Sequence, residues 1–189
     1  MTAQPDAEDD LDFTRAPATP APPPTPEKMA SARSEASKGS PQLAKTGFYV
    51  AMARNAGGKV PPRNGDRHAI LIIEDDKDLL GLVAEVLTTG GFLTRFARNR
   101  AEVNAEFNKQ PLPDLVLLDV ALPDADGFQI LERIRANPKI SRIPVIMMTG
   151  KSEVTDVARG LSLGADGYVT KPFKISGLVS AVNTVLGIA

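Results

Sequence analysis

The chain has 189 residues, 42% of them hydrophobic, a formal charge of −1 and no cysteine. That is material for one ordinary globular domain with some left over, and it excludes disulfides, thiolate metal sites and a strong charge attraction to nucleic acid. Residues 1–12 hold five acidic side chains and no basic one, the wrong start for a secretory signal, and no apolar run reaches the length of a membrane span, so a cytoplasmic protein is expected.

Residues 1–66 carry ten of the sixteen prolines and then a stretch rich in Ser, Ala, Lys and Glu that runs to Pro41. Such a segment buries too little apolar surface to offset its ordering entropy, which predicts a disordered Pro/Ala/Ser-rich tail with polyproline II character around residues 22–26. Its charge is segregated, −5 over residues 1–12 and +5 over residues 13–66, a pattern for solubility or for a weak electrostatic contact. One island, residues 43–54 (LAKTGFYVAMAR), is apolar enough for a short helix or for docking on a partner.

From Arg67 to Ala189 strand and helix patterns alternate. Ala69 to Ile73 reads as a buried strand; Leu79, Leu82, Val83 and Val86 then fall at i, i+3, i+4 and i+7, the apolar stripe of a helix that stops at Gly90-Gly91. Residues 92–97 form a second strand and residues 100–109 a weaker helix. The run Leu115-Val116-Leu117-Leu118 suits a third strand buried on both faces, with Asp119 at its carboxyl end. Gly127 to Ala136 is a helix ended by Asn137-Pro138. Residues 145–148 are a fourth strand, and Val154, Val157, Ala158 and Leu161 repeat the helical spacing up to Gly164. Gly167 to Thr170 is a short fifth strand and Ile175 to Leu186 a last amphipathic helix. Repeated βα units require right-handed crossovers, hence an α/β fold: a doubly wound five-stranded parallel sheet whose simplest order is the flavodoxin-like 2-1-3-4-5.

In that order the first and third strands are neighbours, so the loop Glu74-Asp75-Asp76-Lys77-Asp78 faces the loop after Leu118. Glu74, Asp75 and Asp119 converge. Carboxylates a few ångströms apart repel by roughly 4 kcal/mol per close pair at an effective dielectric near 20, so at neutral pH the group keeps a proton or holds a cation. Oxygen-only donors with open positions suit Mg²⁺, which keeps waters and accepts a phosphate. Asp76 or Asp78 is expected instead as the N-cap of the following helix. The fourth strand ends in Thr149-Gly150, a hydroxyl beside a residue without a side chain, and the fifth leads through Thr170 to Lys171. A nucleophilic carboxylate, a divalent cation, a hydroxyl and an ammonium at one sheet edge make an acceptor site for a phosphoryl group.

Glu74-Asp75, the Asp119 of LLDVALPDADG, Thr149-Gly150, Tyr168 and Lys171-Pro172-Phe173 together resemble a response-regulator receiver domain, and the resemblance spans residues 67–189 and nothing before them. It implies that Asp119 accepts a phosphoryl group from a phosphohistidine on a histidine kinase or histidine phosphotransferase. It implies Mg²⁺ held by Asp75, Asp119 and the backbone carbonyl of Ala121, with Glu74 acting through a metal-bound water, and phosphoryl oxygens contacted by Thr149, Gly150 and Lys171. A cis Lys171-Pro172 bond follows from the same resemblance. So does a switch in which Thr149 is drawn toward the phosphoryl group and Tyr168 turns inward, reshaping the face of residues 153–163, 167–170 and 175–186 for a downstream target protein. Glu74 stands where the family more usually has Asp, and a longer carboxylate still reaches a metal-bound water.

Rival readings fail on the same residues. A flavodoxin-like cofactor binder would place small hydroxyl or glycine residues after its first strand, where this chain has Glu74-Asp75-Asp76. A phosphatase of the haloacid-dehalogenase type needs a second Asp where Ala121 stands. The expectation is a phosphoryl-accepting regulator of a two-component or phosphorelay system, not an enzyme, whose output is binding. The alternative is a phosphorylation-independent scaffold or adaptor on the receiver fold.

Overall fold

The computed structural model describes residues 12–13, 23–51, 58–63, 65–150 and 154–188. Five strands, β2 (Ala69–Ile73), β3 (Leu93–Ala97), β4 (Leu115–Asp119), β5 (Val145–Thr149) and β6 (Gly167–Thr170), lie parallel in the spatial order β3-β2-β4-β5-β6, which is the predicted 2-1-3-4-5. β2, β4 and β5 are buried at every residue, so each needs cover on both faces. Alternation divides the cover. Leu71, Ile73, Val116, Leu118, Val145 and Met147 join one core layer with α3 (Arg100–Phe107), α4 (Gly127–Ala136) and α5 (Val154–Leu163). Ile70, Ile72, Leu115, Leu117, Ile146 and Met148 join the other with α2 (Lys77–Thr89) and α6 (Ile175–Leu186). Among the described residues no helix is long and apolar enough to cross a membrane.

Local chemistry sets the helix starts. The Asp76 carboxylate accepts from the amides of Asp78 (2.9 Å) and Leu79 (3.1 Å), so Asp76 is the cap of α2, and Asp126 accepts from the Phe128 amide at 2.9 Å to begin α4. Gly81 sits in an exposed turn of α2, with nothing within 4 Å of where a Cβ would lie. Gly81→Ala is therefore expected to stabilise the protein by roughly 0.5–1 kcal/mol, because Ala loses less backbone entropy on entering a helix. A thermal midpoint that fails to rise would contradict this.

Among the described residues before 66, residues 26–50 form a helix and a strand where a disordered tail is expected. α1 (Pro26–Thr46) is followed by β1 (Phe48–Val50), which pairs antiparallel with β6 as a sixth strand in the register Phe48↔Val169, Tyr49↔Tyr168, Val50↔Gly167. Of the apolar island at 43–54, the first residues end α1, residues 48–50 form β1, and residues 52–54 lie outside those described. Of the stretch expected as polyproline II, Pro26 is the first helical residue, where its fixed φ is well suited, and Pro22 lies outside the described residues.

Composition misleads here because α1 is held by tertiary contact rather than by propensity. Gly39 and Pro41 in its interior are unfavourable by about 1 and about 3 kcal/mol. Against that, Ala32, Ala36, Gly39 and Leu43 form a narrow buried stripe, and α1 packs along α5. Gly39 admits the Tyr49 ring, which lies 2.6 Å from where a Cβ would stand, and the Tyr49 hydroxyl donates to Glu35 Oε1 at 3.0 Å. Gly47, at φ 80°, turns the chain from α1 into β1. Farther toward the amino terminus, Phe13 is buried and stacked on Phe107 with centroids 5.2 Å apart, its amide donates to Asn104 Oδ1 at 3.2 Å, and Arg133 donates to the Asp12 carbonyl. Residues before 66 thus supply Phe13, Ala32, Ala36, Leu43 and Tyr49 to the same core layer as α3, α4 and α5.

Candidate functional site

The register staggers the functional groups across one edge of the sheet. Ile73 pairs with Leu118, which sets Glu74 level with Asp119; Asp119 pairs with Met148, so Thr149 lies one residue beyond; Thr149 pairs with Thr170, so Lys171 lies one beyond that. Glu74, Asp75 and Asp119 each present a carboxylate oxygen within 4.8 Å of the others. Glu74 is 1% and Asp119 4% exposed, while Asp75 is open to solvent. Lys171 Nζ closes the group, donating to Glu74 Oε2 at 2.6 Å and lying 2.9 Å from Asp119 Oδ2. The remaining oxygens take backbone amides: Ala121 donates to Asp119 Oδ1 and Asp76 to Glu74 Oε1, both at 3.3 Å.

The electrostatics follow from that geometry. Burial pushes the Glu74 carboxyl above its ordinary pKa, the Lys171 hydrogen bond pulls it back in part, and the Asp119 charge pushes it up again. Burial would lower the Lys171 ammonium, but its hydrogen bonds to Glu74 and Asp119 outweigh burial and the net shift is upward. Three carboxylates against one ammonium leave a formal −2 when all are ionised, a mostly buried and uncompensated charge that an oxygen-preferring divalent cation fits.

Thr149 is buried at the end of β5, and its carbonyl accepts from the Lys171 amide at 2.7 Å; the Lys171-Pro172 bond is cis. Gly150 is exposed, with open space where a Cβ would stand. Tyr168 is fully buried: its ring packs over Gly160 of α5, where any Cβ would collide with the tyrosine hydroxyl, and that hydroxyl is 3.5 Å from the Asp156 carbonyl. Of the face expected to meet a target, Glu153 lies outside the described residues, α5 lies under α1, and β6 is paired with β1.

Sequence reasoning missed the part played by Gly127. Its amide donates to the Val120 carbonyl at 2.9 Å, and a Cβ there would overlap the Asp119 carbonyl oxygen and stand 2.9 Å from Val120 Cα. The loop after Asp119 therefore folds back onto β4, closed by a bridge between Ala121 and Asp126. Arg100 braces it from α3, its amide donating to Asp124 Oδ2 at 3.0 Å and its Nε to the Asp124 carbonyl at 2.7 Å. The glycine of ALPDADG was the available signal, and as a helix start alone it explained no close backbone approach.

Residues 70–183 match the family model described as response regulator receiver domain. The chain is 43% identical over 117 residues to the regulatory protein VanRc of Enterococcus gallinarum, covering 62% of this chain and 49% of that protein. It is 37% identical over 117 residues to the phosphate regulon transcriptional regulatory protein PhoB of Escherichia coli (strain K12), covering 62% and 51%. The chain thus spans about half the length of the curated relatives it matches. Among solved structures, the signal receiver domain of a signal transduction histidine kinase from Syntrophus aciditrophicus superposes with a TM-score of 0.57 at 35% identity, covering 63% of this chain and 89% of that one. α1 and β1 lie outside residues 70–183.

Proposed function

The chain belongs to the response regulator receiver domain family, and on that premise we propose that Asp119 accepts a phosphoryl group from a phosphohistidine on a histidine kinase or histidine phosphotransferase. The observation that carries this reading is Lys171 Nζ, 2.6 Å from Glu74 and 2.9 Å from Asp119, at the meeting point of three carboxylates. An Asp119 oxygen attacks phosphorus, the P–N bond breaks, and its electron pair stays on the imidazole nitrogen, which takes a proton from solvent. Lys171, anchored on buried Glu74, holds positive charge beside the oxygens that develop negative charge, and Thr149 and the Gly150 backbone complete their contacts. Asp75, Asp119 and the Ala121 carbonyl would hold Mg²⁺, with Glu74 acting through its water; bound there, the ion supplies the charge that brings an anionic donor to an acidic site. Thr149 relays the event toward the face of residues 153–163, 167–170 and 175–186, where a target protein binds; Tyr168 already lies inward against Gly160, so its part is to shift within that packing rather than to turn in from solvent. In this reading the chain accepts a group rather than turning over as an enzyme, and its place is the cytoplasm.

The 189-residue chain incubated with Mg²⁺ and acetyl phosphate is expected to gain the mass of one phosphoryl group. A folded protein that gains none would overturn the reading and leave the phosphorylation-independent scaffold. Mg²⁺ alone should raise the thermal midpoint, by about 2.7 kcal/mol of stability at a hundredfold excess over Kd, and Asp75→Ala should remove that rise. An equal rise in Asp75→Ala would take this carboxylate out of the metal site.

A further inference from the structure

The face through which a receiver of this design would be read is occupied by the chain itself. Resting on the acceptor reading above, we propose that α1 and β1 are an intramolecular occupant of the α5–β6 face that leaves when Asp119 is phosphorylated, and that the downstream protein binds by taking their place, adding an extended strand to β6.

β6 connects the two events through bonded neighbours. The Gly47 carbonyl, at the junction of α1 and β1, accepts from the Thr170 amide at 3.0 Å and from its hydroxyl at 3.4 Å. The next residue, Lys171, donates its amide to Thr149 and its ammonium to the Asp119 and Glu74 carboxylates. The α1–β1 corner is thus bonded to the residue that precedes Lys171, whose ammonium must redirect itself to new phosphoryl oxygens. Two residues before Thr170 on β6, Tyr168 pairs with Tyr49 of β1 and lies over Gly160 of α5, the helix that carries α1. A movement of Tyr168 therefore acts on both supports of the segment at once, and a movement of Thr149 or Lys171 acts on β6.

The segment is built to leave. β1 is three residues long, and α1 contains Gly39 and Pro41, so neither is stable away from the surface it covers. The family model matches residues 70–183, which do not include the segment. Its departure would uncover the outer hydrogen-bonding edge of β6, and an uncovered edge binds an extended peptide by main-chain pairing. The partner fitted to this face is accordingly a protein that supplies a strand.

Hydrogen exchange of the full chain, with and without Mg²⁺ and acetyl phosphate, tests this when intact mass is recorded on the same samples. The expected result is exchange about tenfold or more faster across residues 26–51 in the phosphorylated protein, with β2 unchanged. Mass gain with unchanged exchange at 26–51 would overturn the inference and leave the acceptor reading standing; no mass gain would overturn the acceptor reading and this inference with it. Gly39→Val, whose side chain would run into the Tyr49 ring, is expected to show the fast exchange without any donor and still gain the phosphoryl mass. If Gly39→Val lost phosphoryl uptake, the segment would be part of the domain's own fold and not a detachable occupant.

Discussion

Asp119→Asn is expected to reduce the phosphoryl gain from one group per chain to none while the protein unfolds at the same temperature or higher. The amide lacks the anionic oxygen needed for attack on phosphorus, and the neighbouring Glu74 is 1% exposed and engaged by Lys171 at 2.6 Å. The stability effect has a definite sign. Removing one of three crowded carboxylates relieves repulsion of roughly 4 kcal/mol per close pair at an effective dielectric near 20, while Lys171 keeps its shorter bond, to Glu74. The Glu74 carboxyl, held up in part by the Asp119 charge, should titrate lower in the variant. Because a raised carboxyl pKa makes the folded state bind protons more tightly than the unfolded one, wild-type stability falls as pH climbs through the Glu74 titration, and that fall should shrink in Asp119→Asn. Phosphoryl mass retained on the variant, or a midpoint well below that of the wild type, would remove Asp119 from its assigned role.

Gly127→Ala is expected to lower stability by about 2–3 kcal/mol, or roughly 4–12 °C for a chain of this size, and to slow phosphoryl uptake by about tenfold or more. In a helix Ala is ordinarily the better residue by about 1 kcal/mol, so the predicted sign is opposite to propensity. The reason is what a Cβ would meet: the Asp119 carbonyl oxygen, with Val120 Cα at 2.9 Å and the Asp119 carbonyl carbon at 3.0 Å, all backbone atoms of the acceptor strand's end. None of these can rotate away as a side chain would. β4 is held on both sides by β2 and β5, so relief has to come from shifting the Asp119 backbone or detaching α4 from it. Gly81→Ala, in open space on α2, is the matched control with the opposite expected sign. Wild-type stability and phosphorylation in Gly127→Ala would show that the loop does not close onto Asp119 as described.

Much of this protein is determined by local sequence. Buried strands such as Leu115-Val116-Leu117-Leu118 admit only a two-sided cover, and the helical stripes between them require right-handed crossovers, so a doubly wound parallel sheet follows from pattern, with 2-1-3-4-5 its simplest order and the one that β2 to β6 adopt. The convergence of Glu74, Asp75 and Asp119 follows in turn, because strand order determines which loops are neighbours. Tertiary structure decided the rest, for one physical reason: where local preference is weak, the surface a segment lands on chooses its conformation. α1 has Gly39 and Pro41 in its interior and is a helix because Ala32, Ala36 and Leu43 are buried where it meets α5; β1 is a strand because β6 offers an open edge. Phe13 reads as one aromatic in a polar stretch until Phe107 stacks beneath it. Gly127 and Gly160 look like ordinary glycines in sequence, and only the folded chain shows the Asp119 carbonyl and the Tyr168 hydroxyl filling the space where their side chains would be.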